Sequence, residues 1–230
     1  MIVEEAARVD KPVAAHAHGI EGIRRAVEAG VTTIEHCSFV DETNERRFSE
    51  PLAARIAERG MFVCPTISGA APYIAELAGM EVGAHVKPLH EMGVRIIAGT
   101  DAGADNNPHH QYAGGLEYLV TLGFQPAQVL AMATTEAAAA LGLGAITGRL
   151  APGYEADLIV VHGDPQAGIA ALRELRRVVA RGRDYVPDSG RFDVSAPGSP
   201  YASPDGAVDL RLLTEATRRR NPAQPGRQPP

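Results

Sequence analysis

The chain has 230 residues, 45% hydrophobic and 22% charged, the make-up of a globular protein of one large or two small domains. A net charge of -6 gives no reason to expect nucleic acid or an anionic membrane as partner, and no apolar run reaches the ~18 residues of a membrane span. The N-terminus lacks a basic stretch before an apolar core, and the two cysteines have no short metal-type spacing, so neither a secretory signal nor a disulfide framework is expected.

A reducing, cytoplasmic setting follows as the default. Short β-branched runs then alternate with longer stretches rich in Ala, Leu, Glu and Arg, the pattern of βα units around a parallel sheet. A helix is predicted over 2–9 and a first strand over 12–16. The next helix, over 21–29, is closed by Gly30 and followed by a strand at 32–36. The cycle repeats with a helix over 50–59, Gly60 and a strand at 61–65, and again with a helix over 81–92, Gly93 and a strand at 94–99. A loop rich in Gly, Asn and His spans 102–115. Helices are expected over 116–122 and 126–141, the second with Pro126 in its first turn. Past Gly142, short strands at 148–150, 157–161 and 178–180 suggest a small appended β-structure. From 187 onward Pro, Ser, Gly and Arg dominate, which predicts a largely disordered tail with one weak amphipathic helix at 209–218.

The informative feature is where His and Asp fall. His16 ends PVAAH, His36 ends TTIEH, and Asp101 follows IIAGT, so three potential ligands lie at the C-terminal ends of three predicted parallel strands. In a (β/α) barrel those ends share one mouth, where active sites are built. Two imidazoles and a carboxylate suit Zn²⁺ or a similar divalent ion. Taken singly, a strand-end His is more often structural, and Asp101 could equally cap the next helix. It is the repetition at three strand ends that points to a site. His18 could point to the same side as His16; His16 is favoured as ligand, with His18 a supporting or substrate contact or a loop residue. His109 and His110 lie in the loop after Asp101, where they could touch substrate or simply be solvated. His85 and His90 fall in a predicted helix and are expected at the surface, and His162 has no evident role. Glu117 is expected to open a helix and favour its dipole. Cys37 is read as a small buried residue in preference to a reactive thiol.

The segments PVAAHAHGIEGIRRAVEAGVTTIEH, IIAGTDAG and ATTEAAAALGLGAITGRLAPGYEADLIVVHGDP, in that order over residues 2–186, resemble the amidohydrolase superfamily, in particular its imidazolonepropionase-like and Xaa-Pro dipeptidase-like branch. The resemblance implies an α/β fold: a partial (β/α)8 TIM-type barrel (strands five to eight) over 1–141, a β-sandwich segment over 142–186 and a disordered Pro/Arg-rich tail over 187–230. It implies that His16 and His36 bind metal after strands five and six, and that Asp101, after strand eight, binds metal and exchanges protons with the attacking water. The implied cofactor is a divalent metal, zinc first. The implied substrate is a small-molecule amide or dipeptide-like compound, with no nucleic acid and no membrane as partner. The family's first-strand H-x-H pair and fourth-strand Lys are not found; His16–His18 is an H-x-H, but the residues after it match the fifth-strand segment. The site is therefore expected to be incomplete in this chain. Such a half-barrel would leave two sheet edges and an apolar face uncovered, so an oligomer or a missing N-terminal half is expected as partner. The alternative is a non-catalytic truncated fragment, or a half-barrel that needs a partner chain. A sugar-phosphate barrel is disfavoured because no Gly-rich phosphate loop follows the last strands.

Overall fold

A computed structural model describes residues 1–78, 81–103 and 107–185. The expected disordered tail over 187–230, with its helix at 209–218, lies outside the described residues. Helix α1 (Ile2–Arg8) leads into β1 (Ala14–Gly19), α2 (Ile20–Ala29), β2 (Thr33–Val40), α3 (Glu50–Glu58) and β3 (Phe62–Cys64). Helices α4 (Ala71–Ala78) and α5 (Val86–Glu91) precede β4 (Arg95–Ile96), after which come α6 (Tyr112–Thr121), α7 (Pro126–Ala133) and α8 (Thr135–Ala140). The first four strands form one parallel sheet in the order β1-β2-β3-β4. Successive strands are neighbours, each reached through helix, which is the winding of a barrel wall. The expected helix stops Gly30, Gly60 and Gly93 all have positive φ, at 75°, 63° and 88°.

Strand alternation decides which side chains meet the helices. Ala15 and Ala17 of β1, Ile34 of β2, Val63 of β3 and Ile96 of β4 pack outward with Ile23, Val27, Ile56 and Leu89 of the helices. Each of these large apolar side chains is 2% exposed or less. Burial on that scale contributes about 1.5–3 kcal/mol per Val, Ile or Leu, so this layer is what stabilises the sheet. The opposite face differs from the apolar surface expected of a half-barrel. Thr33, Phe62 and Arg95 align across the strands, as do His16, Glu35 and Cys64. Arg95 stacks over the Phe62 ring at 4.1 Å and pairs with Glu136 at 2.8 Å, so charge and polarity are built into this face.

Several boundaries depart from the sequence expectation. The single helix expected over 126–141 breaks at Thr134, which has φ -130° and ψ -87°. There the Thr134 hydroxyl donates to the Leu130 carbonyl at 2.6 Å, while the Ala98 N–H donates to the Met132 carbonyl at 3.0 Å. Both bonds compete with the helical ladder. Residues 148–150 form no strand; Gly148 sits at φ +92° and Arg149 folds over the Tyr154 ring. The strands that do form are β5 (Leu158–Val161), β6 (Leu175–Ala180) and β7 (Arg183–Tyr185), an antiparallel sheet in that order. The hairpin from β6 to β7 turns on Arg181 and Gly182, both with positive φ, the type I′ geometry that matches strand twist. Glu117 does not open a helix: it lies within α6 and accepts two bonds from Arg173, at 2.6 and 2.7 Å, tying the C-terminal segment to the first sheet's helices. No helix among the described residues is long and apolar enough to cross a membrane.

Candidate metal centre

On β1 the period-two alternation turns His16 and His18 to the same face, away from the helix-packed Ala15 and Ala17. Regular alternation on β2 would bury His36 beside Ile34 on the helix side. Instead the backbone enters the left-handed region at His36 (φ 67°), Cys37 (φ 51°) and Phe39 (φ 53°), and the register against β1 shifts at the same point. Cys37 is thereby buried completely, and the His36 imidazole swings to the face of the β1 histidines. Non-glycine residues in this region are strained, and such strain concentrates at functional sites.

The three imidazoles gather closely. One ring nitrogen from each of His16, His18 and His36 lies within 4.8 Å of the other two. The His18 and His36 rings stack at 4.2 Å, and His16 meets both edge-on at 4.9 and 4.5 Å. His18 thus lies in β1 beside the other two imidazoles and is not a loop residue. The reason is simple alternation: β1 continues to Gly19, three residues beyond its expected end.

Hydrogen bonds fix how these rings present themselves. His36 Nδ1 lies 2.6 Å from the Thr66 hydroxyl, which also donates to the Pro65 carbonyl at 2.8 Å. A hydroxyl has one hydrogen, so Thr66 accepts from His36 Nδ1–H and leaves the His36 Nε2 lone pair directed at the cluster. That Nε2 is 2.9 Å from His16 Nδ1. His18 Nδ1 is 3.1 Å from the hydroxyl of buried Ser38. Burial, followed by the neighbouring imidazoles, pushes the pKa of both His18 and His36 down; for His18 the Arg46 charge adds to this, and the Asp101 carboxylate opposes it for both. A divalent ion requires imidazole nitrogens in the neutral form, which burial favours for His18 and His36, so the donor set fits such an ion.

Asp101 is exposed, with φ 57°, and sits outside the three-imidazole group while its charge bears on two members of it. The side-chain amide of Asn107 donates to the Thr100 carbonyl and braces the loop at that point. His109 and His110 occupy a short 3-10 helix and are exposed, and His109 packs beside Gly103. His85 is not a surface residue. It is 8% exposed, and its Nε2 lies 2.9 Å from the His36 carbonyl. Burial pushes its pKa down to about 4. Sequence reasoning missed Thr66, Ser38 and His85. Thr66 was open to discovery, as a polar residue just past the third predicted strand. His85 carried no signal, lying in a stretch that reads as a helix.

A family model described as "Amidohydrolase family" matches residues 1–187. The chain belongs to the amidohydrolase family. This amidohydrolase chain is 32% identical over 187 residues to ochratoxinase of Aspergillus niger, covering 77% of this chain and 38% of the relative. It is 28% identical over 147 residues to imidazolonepropionase of Chloroflexus aggregans, covering 62% and 31%. Among solved structures, a Xaa-Pro dipeptidase with bound methionine in the active site is similar at a TM-score of 0.71 and 29% identity, over 80% of this chain and 47% of that one. The chain spans less than half the length of each of these relatives.

Proposed function

We propose that the chain carries part of a metal-dependent amidohydrolase acting on non-peptide C–N bonds or dipeptide-like substrates, with His16, His18, His36 and Asp101 as its metal-binding groups. The observation that supports this most directly is the convergence of three imidazoles from two adjacent strands, within 4.8 Å. In this reading residues 1–141 correspond to strands five to eight of a (β/α)8 barrel, 142–186 to part of a small β-sandwich and 187–230 to a tail. The C–N bond chemistry is drawn from relatives named for ochratoxin, imidazolone propionate and Xaa-Pro dipeptides. Cytoplasmic residence belongs to the same reading, supported by two free, buried cysteines.

A divalent ion at this centre, zinc first, would supply a Lewis acid for the substrate carbonyl and lower the pKa of a water toward about 7. The chain's own groups divide the remaining work. Asp101, whose charge reaches His18 and His36, would take the proton of the attacking water and return it to the leaving nitrogen. Thr66 holds the His36 ring so that Nε2 stays turned to the site.

Metal analysis and titration test the reading. One tightly held zinc equivalent, lost in His36→Ala, is expected; no tight divalent metal with all three histidines present would overturn it. In an amidase and dipeptidase screen, Asp101→Asn should abolish turnover and weaken zinc binding, and undiminished turnover would remove Asp101 from the proton role. A second reading, a non-catalytic half-barrel that needs a partner chain, is favoured by the outer edges of β1 and β4, which have no strand partner among the described residues. Zinc binding without turnover, with turnover restored by a complementing polypeptide, would select it.

A further inference from the structure

His85 sits at the start of α5, far from the mouth in sequence but directly behind β2 in space. It is a buried side chain held to the strand that makes the left-handed excursion. Its Nε2 is 2.9 Å from the carbonyl oxygen of His36. A carbonyl only accepts, so the ring proton must be on Nε2 and Nδ1 carries the lone pair. That Nδ1 is buried and finds no hydrogen-bond partner among the described residues. Leaving such an atom unsatisfied costs about 1–3 kcal/mol. A residue needed only to fill space would be better as Leu or Phe, which have no atom to strand. The ring also packs edge-on to Phe39 at 6.3 Å, and Phe39 is itself in the left-handed region. One side chain therefore touches both ends of the strained segment: the peptide group after His36 and the side chain of residue 39.

The consequence lies in what the strain achieves. Without the left-handed turn at His36 and Cys37, alternation would put the His36 imidazole among the helices. We propose that His85 is a positioning residue: its Nε2–H fixes the His36 carbonyl and so holds the backbone conformation that turns the His36 ring into the histidine cluster. The proposal rests on the reading of His36 as a metal ligand. Thr66 orients the ring about its own axis, whereas His85 sets the direction from which the ring arrives. Removing such outer supports weakens metal binding by about 10–100-fold in known sites.

The test uses three variants of the whole chain. Gln places its amide N–H near the position of His Nε2, Asn falls short of it, and Ala removes the donor. Zinc affinity is measured by competition with a chromophoric chelator, and amide hydrogen exchange over residues 36–40 is followed on the metal-free protein. His85→Gln should keep zinc affinity within about threefold of wild type, while His85→Asn and His85→Ala should lose about tenfold or more. Exchange at 36–40 should quicken in the Asn and Ala variants, not in Gln, and α2 should be unaffected in all. Should the Ala variant fail to fold, the Gln–Asn contrast decides alone. Equal zinc affinity and equal exchange in Asn and Gln variants would overturn the proposal. A wild-type chain that binds no zinc would sink the metal reading, and the exchange contrast would still decide the role of His85.

Discussion

Replacing Gly115 by Ala reverses a rule that normally favours alanine. Gly115 is interior to α6, where Gly→Ala ordinarily gains about 1 kcal/mol of helix propensity. A Cβ at this position, however, would lie 2.3 Å from the Ile67 carbonyl oxygen and 3.2 Å from its carbon. Ordinary carbon–oxygen contacts are about 3.3 Å or longer, so helix and loop must separate by about 1 Å. The opposing atoms are backbone, and no rotamer change can relieve them. Overpacking of this kind costs about 1–3 kcal/mol, and the upper end applies because both partners are rigid. After subtracting the helical gain, a net loss of about 2 kcal/mol is expected, or roughly 4–8 °C in Tm for a chain of this size. The internal control is Gly22→Ala in α2, where the new Cβ meets only Ala17 Cβ at 3.6 Å. That variant should gain up to about 1 kcal/mol. Circular dichroism melts of both give the comparison. The displaced segment includes Ser68 and adjoins Thr66, so Gly115→Ala should also weaken zinc binding while Gly22→Ala leaves it unchanged. A Gly115→Ala protein that melts higher than wild type would refute the steric argument.

His18→Asn should lower zinc affinity by about tenfold or more, as measured by chelator competition, because it removes one of three imidazoles; His162→Asn should not. Burial pushes the Cys64 thiol up to about 12, leaving roughly one thiolate in 10⁴ at pH 8. Native protein should therefore resist Ellman's reagent and react only as it unfolds; prompt labelling of Cys64 would contradict its placement. The two-pronged Arg173–Glu117 contact is half-exposed, so a double-mutant cycle with Arg173→Ala and Glu117→Ala should give a coupling of about 0.5–1 kcal/mol that falls with salt. A coupling near zero at low salt would mean that the C-terminal segment is held by other contacts.

How far the sequence could be read depended on whether local pattern and fold agreed. The helix–glycine–strand cycle was legible because each step uses local chemistry: amphipathic spacing, a left-handed stop at Gly30 or Gly93, then a β-branched run. The cycle also gave the strands that carry His16 and precede Asp101, although His16 lies within β1 and Asp101 beyond the end of β4 instead of at the expected strand ends. His36 was identified for a reason only half right, since strand alternation alone would have hidden its ring among the helices. Thr134 escaped notice because the break there depends on the N–H of Ala98, from a distant part of the chain, bonding to a helix carbonyl. His85 escaped because its partner is a backbone oxygen 49 residues away. Contacts of that kind leave no mark on residue type or spacing.

The placement of β1 has one further consequence. Among the described residues it forms one end of the parallel sheet, hydrogen-bonded to β2 alone, yet it brings two of the three clustered imidazoles. Opening of that strand would remove both donors together, so the centre has no half-assembled form with one β1 histidine in place. If the cluster holds an ion as proposed, ion binding and the closing of this edge would be a single linked equilibrium. An ion present at about 100 times its dissociation constant would hold the strand shut by about 2.7 kcal/mol. Chelation should therefore be felt first as fraying along residues 14–19, before any change in the helices behind them.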